Sequence, residues 1–318
     1  RRPAIIVLVM KGKIKRQTRR LKDFLNEDIW RLEMEELSKA RARFVKYLKI
    51  LLITIRTFSA EKIGFQAVAL SFFSTMSVVP FIAIVFAITG GLGLADMLES
   101  FLYGYFQNSQ QVIDFIIGAA HNIIASSQGG GMGLVSTLLF VWIVVWMMLS
   151  VERVFNNVWM VTKSRNIFKR LSYIIAMLFI APFVILVFFS GTIFYSHALE
   201  FFGLDSGQAA VFKSAIAWLI FGVVVTFTIS AMYKFIPNAP VDYPNALRAA
   251  AFSGTAFTVM QYLYLETQVF VSRMNGIYGA FAAVPLFMIW INIGWFIILI
   301  GAELSYAFQH VDSYNIED

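Results

Sequence analysis

From Leu134 to Leu149 the chain carries no charged residue, and apolar stretches of comparable length recur along most of it. A helix needs about 20 predominantly apolar residues to cross a hydrocarbon layer of roughly 30 Å. Stretches meeting that requirement fall near 66–90, 134–157, 172–197, 211–236, 247–271 and 279–308. In lipid only helices and closed barrels satisfy all their backbone polar groups, and these runs lack the period-two alternation of barrel strands. The sequence therefore predicts an all-α polytopic membrane protein with about six transmembrane helices. Composition agrees: 59% of the residues are hydrophobic and 14% charged, with a mean hydropathy of +0.72. A soluble domain has roughly 45–50% apolar and 25% charged residues, so its core could not hide this excess.

The net charge of +7 would suggest a nucleic-acid partner if it were spread over the surface, but 17 of the 26 Lys and Arg lie between Arg1 and Lys62. The 91–133 connection has no Lys or Arg, whereas the next one carries Lys163, Arg165, Lys169 and Arg170. Cationic loops favour the cytoplasm, so the N-terminus and the 158–170 loop are expected inside and the 91–133 segment outside. Continuing the alternation puts both termini in the cytoplasm. The basic N-terminus is expected to meet anionic lipid headgroups, each cation contributing about 1 kcal/mol near the surface. No aromatic-interleaved basic motif points to nucleic acid.

The division that follows is a basic cytoplasmic amphipathic region over 1–58, a six-span domain over 59–310 and a cytoplasmic tail over 311–318. Leu21, Leu25, Ile29, Leu32, Leu37, Ala40, Phe44, Leu48 and Leu51 recur at spacings of mostly three or four, which predicts interfacial helices. The apolar run from Ala4 to Met10 is too short to span and no small-residue cleavage site follows it, which reads as a trimmed terminus. In the first external segment Leu94, Leu98, Phe101, Leu102 and Tyr105 form one stripe, and Val112, Ile116, Ala119, Ile123 and Ile124 another. Two short helices are expected there, lying along the outer interface or dipping into it.

Polar residues inside the spans are the candidates for function. Pro80, Pro182 and Pro285 each remove a helical hydrogen bond and free a carbonyl four residues back; such breaks are either ordinary kinks or openings for a polar site. Ser71, Ser74, Thr75 and Ser77 make half of the first span small and hydroxylated, which suits close packing or a wet cavity. In the second span Trp142, Trp146, Ser150, Arg153 and Asn157 share a face, and Glu152 with Asn156 forms the adjoining stripe. Tyr262, Glu266 and Arg273 share a face in the fifth, as do Asn292, Trp295, Leu299 and Glu303 in the sixth. Charge at membrane depth is costly and marks function by default, although Glu152 and Arg153 serve equally well as the cytoplasmic end of the second helix. Glu303 and Glu266 lead this set, either as substrate contacts or as structural partners of Arg153, Lys234 or Arg248.

The absence of cysteine excludes disulfides, zinc–thiolate sites and thiol nucleophiles. His121, His197 and His310 are scattered, and the glycine run at 129–131 lacks the Lys-Ser/Thr of a phosphate-cradling loop. No cofactor, metal site or enzymatic activity is expected.

Three stretches resemble a known family: Ala69-Leu-Ser-Phe-Phe-Ser-Thr-Met-Ser-Val-Val-Pro80, Ser150-Val-Glu-Arg-Val-Phe-Asn-Asn-Val-Trp159, and Asn275-Gly-Ile-Tyr-Gly-Ala-Phe-Ala-Ala-Val-Pro285 with Leu299-Ile-Gly-Ala-Glu-Leu304 after it. Over roughly residues 55 to 310 the chain resembles the YihY/virulence factor BrkB family, formerly labelled ribonuclease BN. The resemblance implies a six-span inner-membrane protein and marks Pro80, Glu152, Arg153, Asn156, Trp159, Asn275, Tyr278, Gly279, Pro285, Gly301 and Glu303. It gives no support to the ribonuclease label, since catalytic residues are missing. Two functions stay open. One is a transporter or flippase-like carrier of an amphiphilic, lipid-like or anionic substrate, working along a cavity between the first, second, fifth and sixth spans. The other is a non-transporting scaffold or regulator acting through the basic N-terminus. Homo-oligomerisation is left open.

Overall fold

A computed structural model describes residues 29–31, 37–105, 110–127, 131–162, 165–166, 168–176, 178–180, 209–272 and 276–314. Helices and turns account for the described residues, without strands. The described residues include eight helices of eleven residues or more: α1 Lys39–Ala60, α2 Ile63–Gly91, α3 Ala95–Tyr105, α4 Gln110–Ser127, α5 Gly131–Val158, α6 Ala209–Phe235, α7 Tyr243–Ser272 and α8 Gly276–His310. Four of them contain segments long and apolar enough to cross a membrane, Ile63–Gly91, Thr137–Val158, Trp218–Phe235 and Pro285–His310. These match the first, second, fourth and sixth expected spans. The third, 172–197, lies largely outside the described residues, with Pro182. The fifth coincides with α7, whose 30 residues suffice in length. Its Ser253, Gly254, Thr255, Thr258, Gln261 and Tyr264 dilute the apolar character, because this helix packs against protein along much of its length.

α8 is the hub and touches α1, α2, α5, α6 and α7. Its contact with α6 and α7 depends on small residues, since lipid offers no hydrophobic drive between helices and close approach must supply the attraction. A Cβ on Gly301 would lie 2.1 Å from the Tyr233 hydroxyl and 2.4 Å from Ser253 Oγ. A Cβ on Gly254 would lie 2.9 Å from the Cα of Thr226, so α6 and α7 meet nearly backbone to backbone. Tyr233 is fully buried at this junction; its hydroxyl donates to the Ile298 carbonyl at 2.8 Å and lies 2.7 Å from Ser253 Oγ.

The hydroxylated half of α2 turns out to be a packing surface. Ser71, Ser74 and Ser77 are buried. Asn292 Nδ2 donates to Ser71 Oγ at 3.3 Å and Trp295 Nε1 to Ser74 Oγ at 2.8 Å, tying α8 to α2. Both α2 and α8 continue as helix through Pro80 and Pro285.

The far half of α2 carries a second core. Ala83, Val85 and Phe86 pack with Leu98 of α3 and with Ile113, Ile117 and Ala120 of α4. The expected α3 stripe holds for Leu94, Leu98 and Leu102; on α4 Ile123 and Ile124 of the expected stripe pack against this core, and Ile113, Ile117 and Ala120 are buried in it. The apolar surface of α4 is broad enough that spacing alone leaves its rotation open. Tyr103 donates to Asp114 Oδ1 at 2.6 Å, which ties α3 to α4 and raises the phenol above its ordinary range.

Candidate functional site

The ends of α5, α6 and α8 and the starts of α2 and α7 converge on one end of the bundle, where short polar side chains knit them together. α5 closes with Met160 in the left-handed region at φ 50°. The Val161 amide bonds to the Asn156 carbonyl and the Met160 amide to that of Asn157, the pattern of a helix terminus that ordinarily takes glycine. Methionine is kept there in contact, with the Tyr306 hydroxyl donating to its sulfur at 3.4 Å. This turn leaves Asn156 aimed at the α6–α7 connection, where its Oδ1 accepts the Asn238 amide at 2.7 Å. Arg165 donates to the carbonyls of Phe235 and Pro237, both at 3.0 Å, and Gln309 bridges the Pro240 carbonyl and the Asp242 amide. Asn157 reaches Gln66 at the start of α2 at 3.4 Å.

Two carboxylates lie inside this belt. Glu152 is buried and its Oε2 accepts from Arg170 Nε at 2.7 Å, an ion pair closed across the loop after α5. Glu303 has no exposed surface, and neither of its oxygens has a hydrogen-bond partner among the described residues. Its polar neighbours are Thr57 and Glu61 at the end of α1. The Thr57 hydroxyl itself donates back to the Ile53 carbonyl at 2.8 Å. Glu152 Oε1, Trp159 Nε1 and Ser305 Oγ are also buried without partners among the described residues. These orphan atoms all fall on the last turns of α5 and α8 and the residue just after α5. A buried polar atom left unpaired costs about 1–3 kcal/mol, which sets this end of the bundle apart from its apolar remainder.

The N-terminal side docks here as well. Lys46 pairs with Asp312 at 2.7 Å, and Trp30 lies beneath Lys49 and Arg56, 5.8 and 5.5 Å from its ring centre. Burial pulls the Lys49 ammonium below the usual lysine range, with Asp312 acting in the opposite direction.

The sequence candidates thus separate. Glu152, Asn156 and Glu303 are buried at this end, while Asn292, half-buried, lies about three helical turns away along α8, against Ser71 of α2. Arg153 and Glu266 are exposed. Arg273 lies outside the described residues. On α5 the Glu152–Asn156 stripe turns inward, and Trp142 with Trp146, 5.6 Å apart, faces outward. Thr57, Arg170 and Ser305 join the site without having been singled out. The Glu152–Arg170 pair spans 18 positions and a loop, a separation that helical spacing does not register. No group of three or more metal-ligating side chains occurs among the described residues.

The family model described as "Virulence factor BrkB" matches residues 54–318, which takes in α2 to α8 and the whole belt. The chain belongs to this family. Similar proteins include the UPF0761 membrane proteins of Chromohalobacter salexigens, 28% identical over 82% of this chain and 64% of that protein, and of Janthinobacterium sp., 27% identical over 79% and 58%. One from Albidiferax ferrireducens is 28% identical over 78% and 59%. The chain spans about three-fifths of the length of these relatives. No solved structure matches it. Like its BrkB-family relatives, the chain is a membrane protein.

Proposed function

We propose that this BrkB-family chain is a carrier that moves an amphiphilic, lipid-like or anionic substrate across a bacterial inner membrane, with the basic end of the bundle in the cytoplasm. The observation that carries the proposal is Glu303, a carboxyl on an apolar helix of spanning length, fully buried and without a hydrogen bond among the described residues, with Thr57 and Glu61 as its polar neighbours. A carboxyl held this way is costly to bury, and ionisable groups at membrane depth mark substrate or ion pathways by default. No reaction is assigned to the site. In proteoliposomes the wild-type chain is expected to accelerate transbilayer movement of labelled anionic lipid or efflux of an amphiphilic anion. Glu303→Gln at equal incorporation should slow it by about tenfold or more, the effect of roughly 1.4 kcal/mol on a barrier. Equal rates for empty vesicles, wild type and variant would refute the carrier.

A second reading, a scaffold working through the N-terminal helix, draws on the exposed stripe Phe44, Tyr47, Leu51 and Ile55 of α1, flanked by Arg41 and Arg43. It requires that Arg41→Glu with Arg43→Glu abolish cellular function while Glu303→Gln leaves it intact.

A further inference from the structure

Between α6 and α7 a groove of about 360 Å³ opens toward the surroundings, lined by Leu219, Val223 and Phe227 on one side and Leu247, Thr255 and Thr258 on the other. Small-molecule sites occupy about 300–1,000 Å³, so the groove is large enough for a ligand. Its hydroxyls do not make it polar. Thr255 donates to the Ala251 carbonyl and Thr258 to that of Gly254, each at 2.8 Å within α7. What the groove offers is a hydrocarbon wall. It follows α7 from Leu247 to Val259, roughly 18 Å at about 1.5 Å per residue, which is close to one leaflet of a hydrocarbon layer of roughly 30 Å.

A cation stands at one end of it. Arg248 follows Leu247, is exposed, and makes no ion pair among the described residues. Two other cations near this end are engaged, Lys234 with the Val241 carbonyl and Arg165 with those of Phe235 and Pro237. An apolar slot one leaflet long that ends beside a free guanidinium matches an acyl chain attached to a phosphate. Arg binds that group through a planar, charge-assisted fork.

We propose that this groove holds an acyl chain of an anionic phospholipid whose phosphate sits at Arg248. The site goes beyond the carrier reading and does not rest on it, since a lipid can be held without being moved.

The test is native mass spectrometry of the full chain in mild detergent, titrated with phosphatidylglycerol or with phosphatidylcholine of the same acyl chains. Phosphatidylglycerol should bind more tightly by about fivefold, the equivalent of roughly 1 kcal/mol for one cation at an anionic headgroup. Arg248→Gln, a surface change, should bring the ratio of the two affinities near one, and Thr255→Trp, which fills the groove, should remove the bound lipid. Equal affinities for the two lipids, or a ratio unchanged in Arg248→Gln, would overturn the site. So would a dimer that Thr255→Trp dissociates, because a second copy would then occupy the groove.

Discussion

Arg170 lies 18 positions beyond Glu152 in sequence and 2.7 Å from it in space, and its removal leaves a buried carboxylate with nothing to neutralise it. Breaking a buried pair from one side costs about 3–5 kcal/mol, whereas replacing both partners by neutral groups costs far less. Arg170→Gln should therefore lower the thermal stability of the detergent-purified chain sharply, and Glu152→Gln added to it should restore much of the loss. Gly301 gives a second measure at this scale. A methyl there meets the Tyr233 hydroxyl at 2.1 Å and Ser253 Cβ at 2.8 Å, and the three helices around it have no slack. Gly301→Ala should cost about 1–3 kcal/mol by overpacking, read as a lower melting temperature. Glu303 was legible in the sequence because Asn292, Trp295, Leu299 and Glu303 return to one helical angle, and the first two hold α2 while the last two are fully buried. Glu152–Arg170 was not, since nothing in a linear pattern says which loop cation folds back onto a helix.

Among the elements, the long apolar helices were the most readable, because bilayer length and the lack of charge are properties of contiguous sequence. The α3–α4 hairpin was readable as two helices with apolar stripes, Ile123 and Ile124 among them, but the burial of Ile113, Ile117 and Ala120 was not. That choice is made by contact with Phe86 and Val85 of α2. Ile117→Ala should accordingly loosen the hairpin at a cost of about 2–5 kcal/mol, seen as faster proteolysis between α3 and α4 than in the wild type. α7 shows the opposite case. Its serines, threonines and glycine weaken the hydropathy signal, yet they are what lets α6 and α8 approach it closely. A helix buried in protein needs small residues more than apolar ones, so composition alone understates it.

At the scale of the whole molecule, charge distribution foretold a basic end, and the structure gathers at one end the termini that alternation requires: the starts of α2 and α7 and the ends of α5, α6 and α8. The contacts that join them, Asn156 to Asn238 and Gln309 to Pro240 and Asp242, bring together loops 67 to 82 positions apart. Only the folded chain shows that the orphan atoms of Glu303, Trp159 and Ser305 fall within this one belt. Both the carrier reading and the lipid groove presuppose that this end and the α3–α4 end face opposite sides of a membrane. Because the chain has no cysteine, single cysteines can be read against a silent background. The decisive measurement is labelling of Asp242→Cys, Asp312→Cys and Ser100→Cys in sealed, oriented vesicles with an impermeant maleimide. The first two should react from one side and Ser100→Cys from the other; reaction of all three from the same side would contradict the architecture on which the functional account stands.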